Sequence, residues 1–416
     1  MTYKLNRAVV KGSFILIIAF GLYNFLHFLF QFFMARMLTI SDYGVLATLF
    51  SVVYISAILT ESVQNVVVKY SSPEKDLGKL KNLFLRSLRK VLRLSLWIFV
   101  FYLIIAVFLA KVLNISYALL AITGLIIFLA LFSPVTRGIL QAKQRFKSLG
   151  LNMIIEASIK LVMGIVFVYF GATVFGAMTG VILGGLIALL FSFAQLRDII
   201  KAKEVAAKTD GLYNYARPAF FITAIVIVFY SLDVIIAKIV FPPETAGAYA
   251  IASILGKILF WGTLPISKAM LPVSSVEIRP EQKVEKHVLR TAVIIISIGI
   301  FIALTLFYLF PEMIINIFSG KNVSDAAKIL FIEGLAFSFI AITNLILIYK
   351  LSINALSNYA YLSAFLIVEV ILLSYFSANV IQFAMAFGAS SLIFLLGTIM
   401  LLKKSRFNKA NIYRES

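Results

Sequence analysis

Ala35-Arg36-Met37-Leu38-Thr39-Ile40-Ser41-Asp42-Tyr43-Gly44-Val45-Leu46-Ala47 is a short polar hinge between two long apolar runs. A similar stretch returns in the second half as Ala237-Lys238-Ile239-Val240-Phe241-Pro242-Pro243-Glu244-Thr245-Ala246-Gly247-Ala248-Tyr249-Ala250. Each places a cation beside an alanine, then a short polar gap, a carboxylate, and a glycine that opens the next apolar run. The alanines are offset by 202 residues (237−35) and the glycines by 203 (247−44). The chain therefore reads as two copies of one helical bundle.

The composition supports a bundle in a membrane. Of the 416 residues, 62% are hydrophobic and only 13% charged, where a soluble chain carries about 25%. Mean hydropathy is +1.02. Apolar runs near the length of a membrane-spanning helix recur throughout, whereas the strands of a membrane barrel would alternate over only about 10 residues. The expected fold is an all-α polytopic membrane protein with about twelve transmembrane helices. They fall at 13–34, 44–68, 94–110, 116–135, 149–170, 173–196, 216–240, 247–271, 291–310, 326–349, 358–376 and 380–402. The first run is read as a retained helix and not a signal peptide, since no small-residue cleavage site follows it. There is no cysteine, hence no disulfide or thiol chemistry.

The net charge of +20 would suggest nucleic acid in a soluble protein. Here the cations sit in alternate loops: the N-terminus, 69–93, 137–147, 197–212, 279–290 and the tail. By the positive-inside rule these loops and both termini face the cytoplasm, and the two hinges face outward. The basic linker 69–93 is expected to hold a short amphipathic helix on the membrane surface. The polar stretch 197–212, with its Asp210-Gly211 turn, divides the chain into six-helix lobes at 1–208 and 209–416.

Other matches fall in the order a repeat requires. Ser71-Ser72 corresponds to Ser274-Ser275, Gln141-Ala142 to Asn354-Ala355, Phe146 to Tyr359, and Glu156 to Glu369. With an even number of helices per copy, the copies run parallel. Transporters of this build hold substrate near the midplane, between halves that rock.

Charge inside a spanning helix costs about 2.5–3.5 kcal/mol on insertion scales, so such residues face protein or water. Lys257 is near mid-membrane, and is read either as a cation facing a central cavity or as the partner of Glu369 or Glu333. Glu156 and Lys160 have the i, i+4 spacing of a same-face helical pair. Asp233 belongs to a coupling-ion site or balances a cation. Glu61 suits capping or gating. His27 is read as a helix-contact residue or a proton relay. Trp97 and Trp261 are packing or interfacial anchors. The glycines 176, 180, 184 and 185 suit close helix packing. Arg36 and Lys238 read as interfacial anchors or substrate contacts. No phosphate-cradling GxxxxGK[ST] or HExxH motif appears, and no outer loop is long enough for a catalytic domain, which argues against an enzyme.

The hinge residues Ala35-Arg36-x-Leu38 and Asp42-Tyr43-Gly44 resemble the multidrug/oligosaccharidyl-lipid/polysaccharide exporter superfamily, on its polysaccharide (O-antigen type) flippase branch. So do Arg137-Gly138-Ile139-Leu140-Gln141-Ala142 with Arg145-Phe146, and Ser231 through Lys238 with Glu244, Gly247 and Tyr249. The resemblance implies two pseudo-symmetric six-helix lobes around a central cavity, opening alternately to either side. It implies movement of a polyprenyl-(pyro)phosphate-linked glycan from the inner to the outer leaflet, driven by a Na⁺ or H⁺ gradient and needing no other cofactor. The partners are then that glycan, membrane lipids and neighbouring glycan-assembly enzymes, with no nucleic acid. The chain is expected to act as a monomer in the cytoplasmic membrane. On this reading Lys257, Arg36 and Lys160 meet substrate, while Asp233, Glu61, Glu156, Glu369 and Glu333 serve ion coupling or gating. The alternative is a cation-coupled multidrug or small-metabolite exporter of the same fold. Some drug exporters of the superfamily use an acidic residue in the first helix, where this chain offers His27 and Gln31.

Overall fold

A computed structural model of the chain describes residues 7–207, 216–275, 282–352 and 359–404. Lys208, the Asp210-Gly211 turn, Arg279, Asn354-Ala355 and the tail cations Arg406, Lys409 and Arg414 lie outside the described residues. Among the described residues the regular structure is helical throughout. The chain divides into two compact units, Met1–Ala216 and Arg217–Ser416. Among the described residues eleven helices are long and apolar enough to cross a membrane, and the twelfth expected one, Tyr359–Tyr375, is apolar but shorter. Its length lies near the lower limit of about 17 residues for a span. The chain is a multi-pass membrane protein.

The first unit contains α1 (Arg7–Met37), α2 (Ile40–Ser71), α3 (Leu77–Leu113), α4 (Tyr117–Ala130), α5 (Ser133–Ala142), α6 (Phe146–Tyr169), α7 (Thr173–Gln195) and the short α8 (Arg197–Lys201). The opening hinge is the gap between α1 and α2, reduced to Leu38 and Thr39. Thr39 caps α2: its hydroxyl accepts from the Asp42 amide at 3.0 Å and donates to the Asp42 carboxylate at 2.9 Å. This pairing satisfies one orphan amide of the helix start. Asp42 also puts negative charge at the positive end of the helix dipole.

Two expectations change here. The basic linker is not a separate surface helix, because Leu77–Leu113 is continuous. The apolar stripe of its first half, Leu80, Phe84 and Val91, is buried with Val67, Val135, Ile139, Leu196 and Ile199. Protein therefore covers the face that lipid was expected to cover. The chain after α8 lies along the same helix start. Lys81 donates to the Ala202 carbonyl at 2.9 Å, the Val205 amide to the Gly78 carbonyl at 3.2 Å, and Asn82 to Glu204 at 2.7 Å. The expected fourth span is broken at Leu131-Phe132, before Pro134. Proline has no amide hydrogen and its ring crowds the preceding turn, so the helix restarts as α5.

Helices α6 and α7 pack backbone to backbone. A Cβ on Gly180 would meet the Gly164 nitrogen at 2.6 Å, and one on Gly184 the Glu156 carbonyl at 2.7 Å. Lipid offers no hydrophobic drive between helices, so this close approach is itself a source of packing energy. The two helices join through Gly171, whose φ of +89° favours glycine.

The second unit contains α9 (Ala216–Val240), α10 (Pro243–Ser275), α11 (Gln282–Leu309), α12 (Pro311–Ser319), α13 (Ser324–Ser352), a 3-10 turn (Tyr359–Leu362), α14 (Ser363–Tyr375) and α15 (Val380–Lys404). The second hinge, Phe241-Pro242, also has two residues, and Pro243 opens α10 where its missing amide hydrogen costs nothing. Helix α12 lies where a plain outer loop was expected, with Ile315 and Phe318 buried and Gly320 closing it at φ +66°. Rings of Phe229, Phe387, Phe394 and Phe337 build the core.

Large apolar side chains cover the outside, including Trp97, Phe101 and Phe108 on α3, and Phe301 and Tyr308 on α11. On a soluble protein such a surface would need a partner; a bilayer supplies it here. Trp97 is 76% exposed, so it faces outward rather than packing inside.

Candidate functional site

Each unit holds a polar interior. In the first unit it is a cavity of about 250 Å³. α1 contributes Tyr23 and His27, α2 contributes Tyr54 and Gln64, α5 contributes Arg137, and α6 contributes Glu156 and Lys160. The break before Pro134 sets Arg137 in α5, and its guanidinium forms an ion pair with Glu156. Its Nε donates to the Asn152 side-chain oxygen at 2.8 Å. Asn152 in turn donates to the Ala188 carbonyl at 2.6 Å and the Ser192 hydroxyl at 2.8 Å, tying the pair to α7. Gln64 donates to Gln141 at 2.8 Å on the α2–α5 side.

Lys160 is 5% exposed. The expected Glu156–Lys160 pair is replaced, because Glu156 takes Arg137 instead. The Lys160 Nζ lies 3.1 Å from His27 Nδ1 and over the rings of Phe30 and Phe50, at 4.4 and 4.6 Å. Two aromatic faces partly replace the water an ammonium loses on burial. The cavity wall thus has two cationic side chains against one carboxylate.

In the second unit, Asp233 of α9 meets α10. Lys257 Nζ donates to Asp233 Oδ1 at 3.2 Å. Ser253 donates to Oδ2 at 2.5 Å, and the Tyr249 hydroxyl approaches it at 3.5 Å. Asp233 therefore balances a cation, Lys257. Lys257 makes the internal ion pair that was one of its two readings, with Asp233 as the carboxylate instead of the Glu369 or Glu333 named as examples. Glu333 on α13 and Glu369 on α14 are fully buried, and neither carboxylate makes a hydrogen bond among the described residues. Among the described residues no group of three or more His, Asp or Glu could hold a metal ion.

The hinge side of each unit carries a buried tyrosine, Tyr43 one residue before the repeat glycine Gly44 and Tyr249 two residues after Gly247. Tyr43 donates to Gln31 at 3.3 Å and is fully buried, as Tyr249 is against Asp233. The tyrosine thus meets an uncharged amide in the first unit and an ion pair in the second. Arg36 is exposed at the end of α1, its guanidinium 4.6 Å from the centre of the Phe32 ring. Glu61 is exposed on α2. Both stand apart from the two buried clusters.

Sequence reasoning left Arg137 among the loop cations. The signal that locates it is Pro134: a helix restarted there carries Arg137 within its first turns, on the same chain segment as the buried Val135 and Ile139.

The sequence model of the family described as "Polysaccharide biosynthesis protein" matches residues 33–328. No protein of curated function matches by sequence. Among solved structures, an inward-facing multidrug resistance MATE family transporter of the MOP superfamily aligns with a TM-score of 0.76 and 15% identity, covering 93% of this chain and 95% of that one. The lipid II flippase MurJ, in an inward closed conformation, aligns with a TM-score of 0.69 and 16% identity, over 94% and 87%. A MOP superfamily transporter from Pyrococcus furiosus, described by the reverse polarity of its binding pocket, aligns with a TM-score of 0.56 and 14% identity, over 96% of both chains. Identities this low speak for the fold alone; the family match over most of the length adds kinship. The chain belongs to the polysaccharide biosynthesis protein family.

Proposed function

We propose that the protein is a flippase that carries a polyprenyl-(pyro)phosphate-linked oligosaccharide from the inner to the outer leaflet by alternating access. The observation that carries this reading is the first unit's cavity, where Arg137 and Lys160 stand against Glu156 alone. A diphosphate needs cationic donors, and arginine can bind it through two parallel hydrogen bonds. The fold it shares with a lipid II flippase supports the lipid-linked class.

On this reading Arg137 meets the head group beside Lys160, with Arg36 at the outer mouth. Lys257 holds Asp233 in place instead of touching substrate. Asp233, Glu333 and Glu369 form the group that answers a Na⁺ or H⁺ gradient, while Glu156 gates Arg137 and Glu61 acts at the membrane edge. The lobes 1–208 and 209–416 are the moving bodies. The protein works as a monomer in the cytoplasmic membrane, with both termini inside, beside glycan-assembly enzymes, and carries out no covalent chemistry itself.

A second reading, a cation-coupled drug or small-metabolite exporter, is favoured by the rings of Tyr23, Phe50 and Tyr54 around the same cavity. Reconstitution into proteoliposomes with labelled lipid-linked oligosaccharides, with and without Na⁺ and pH gradients, separates the two. Gradient-stimulated flipping is expected. Its absence under every gradient, together with efflux of organic cations, would replace the first reading by the second.

A further inference from the structure

The first cavity contains more partners than its charges can use at once. Glu156 can pair with Arg137, as it does, or with Lys160, which follows it by one helical turn on the same face. Lys160 can pair with Glu156 or with His27, as it does at 3.1 Å. A neutral imidazole has a single acceptor nitrogen. If Lys160 donates to Nδ1, that nitrogen is where a second proton would have to bind. If the proton moves across instead, an imidazolium Nδ1–H faces a neutral amine, and the pair still holds one positive charge. Either way, an imidazolium and an ammonium cannot keep this contact, since each presents only donors to the other. His27 Nε2 is buried and has no hydrogen-bond partner among the described residues, so nothing there pins the ring in one protonation state.

We propose that this cavity is a proton-switched anion site, in which protonation of His27 frees Arg137 to bind a diphosphate. The proton adds to His27 Nδ1 and the Lys160 contact breaks. Lys160 swings one turn back along α6 to Glu156. Glu156, now neutralised by Lys160, releases Arg137, which stays aimed by Asn152 and presents its guanidinium to the cavity. No covalent bond changes other than the new N–H, and one proton is taken up as one anion site opens. Histidine is the side chain whose charge changes in the physiological range. The other titratable groups facing the pair are Tyr23 from α1, whose ring centre is 4.4 Å from that of His27, Tyr54 from α2, Arg137 from α5 and Glu156 from α6. The cavity-lining residues of α4 and α7, such as Ile126, Leu129, Val181 and Gly185, carry no charge. This inference rests on the flippase reading for the identity of the anion, but the exchange of partners does not.

Two measurements test it. In ligand-free protein in nanodiscs, ¹⁵N signals of the His27 ring and the Arg137 side chain are followed across a pH series, with His27 distinguished from His287 by substitution of the latter. One shared step is expected, and the Arg137 step should vanish in Glu156→Gln. A His27 titration that leaves Arg137 unmoved would overturn the switch. Next, binding of polyprenyl diphosphate and of inorganic diphosphate is measured over the same series. Wild-type affinity should rise by at least about tenfold on acidification, as expected for one gained charge-assisted contact. His27→Gln should flatten the profile at the weak end, and Glu156→Gln should flatten it at the tight end. Affinity for both probes would make the phosphate group the determinant, whereas affinity for the lipid alone would add the chain; the pH profile supports the switch in either case. Binding with a flat wild-type profile would overturn the switch alone. No binding of either probe at any pH would overturn the anion site and weaken the flippase reading, even if the Arg137 step persisted.

Discussion

Lys257 and Asp233 form an ion pair sealed inside the second unit, 3.2 Å apart, with side-chain exposures of 2% and 0%. Removing one member of such a pair strands a charge and costs about 3–5 kcal/mol, while replacing both by apolar or neutral groups of similar shape is close to neutral. Lys257→Met alone should therefore lower the midpoint of denaturation strongly. Asp233→Asn with Lys257→Met should recover most of the loss. A double-mutant cycle in detergent gives the coupling. If Lys257→Met leaves stability unchanged, the pair is not structural and direct substrate contact regains its case.

The α6–α7 contact sets up a paired comparison. Gly180→Ala puts a methyl 2.6 Å from the Gly164 nitrogen, and backbone cannot step aside as a flexible side chain can. Overpacking of this kind costs about 1–3 kcal/mol. Gly185, one turn further on and on the cavity wall, has nothing within 4 Å of the added carbon. Gly185→Ala should hold or raise stability by up to about 1 kcal/mol, because alanine favours the helix. Thermal melts of the two variants check the sign of each change.

At the end of α7, outside the spans, Arg145 grips Asp198 through both guanidinium nitrogens and also donates to the Gln195 carbonyl at 3.0 Å. The Arg145–Asp198 hydrogen bond holds the Asp198 carboxyl below its ordinary pKa, with burial opposing it. The sign follows from the depression. The contribution is present above the unfolded carboxyl value, near about 3.9, and is lost as pH falls through the folded one. The pair is partly exposed, so the effect is small and salt-sensitive. Hydrogen exchange at 195–201 should quicken at acid pH in the wild type. In Asp198→Asn it should already be quick at neutral pH.

Much of this architecture can be read from the sequence, because a bilayer allows few solutions. Hydropathy locates the spans and the paired hinges expose the repeat, down to two-residue gaps at 38–39 and 241–242. Partner choice is what sequence spacing could not give. Glu156 and Lys160 are well placed for each other on a helix, yet Pro134 breaks the preceding span and brings Arg137 to Glu156 from another element. Among the described residues Lys257 has three buried carboxylates in its own unit, and only the α9–α10 packing selects Asp233. Helix α12 was hidden because nine residues between Pro311 and Ser319 are too few to signal a span.

Glu369 and Glu333 give the sharpest separation of stability from function. Both are fully buried and neither carboxylate has a hydrogen-bond partner among the described residues. A buried polar group without partners costs stability, so a protein keeps one where it is used. Glu369→Leu should fold at least as well as the wild type, with an unchanged or raised melting temperature. Under the coupling reading it should also lose gradient-stimulated transport while retaining substrate binding. Glu333→Gln should behave alike, since an amide keeps the shape and removes the charge. Stability and transport are measured on the same reconstituted samples. Variants that transport normally under a gradient would remove these two carboxylates from the coupling group. Variants that unfold would show that the carboxylates hold the helices of the second unit together.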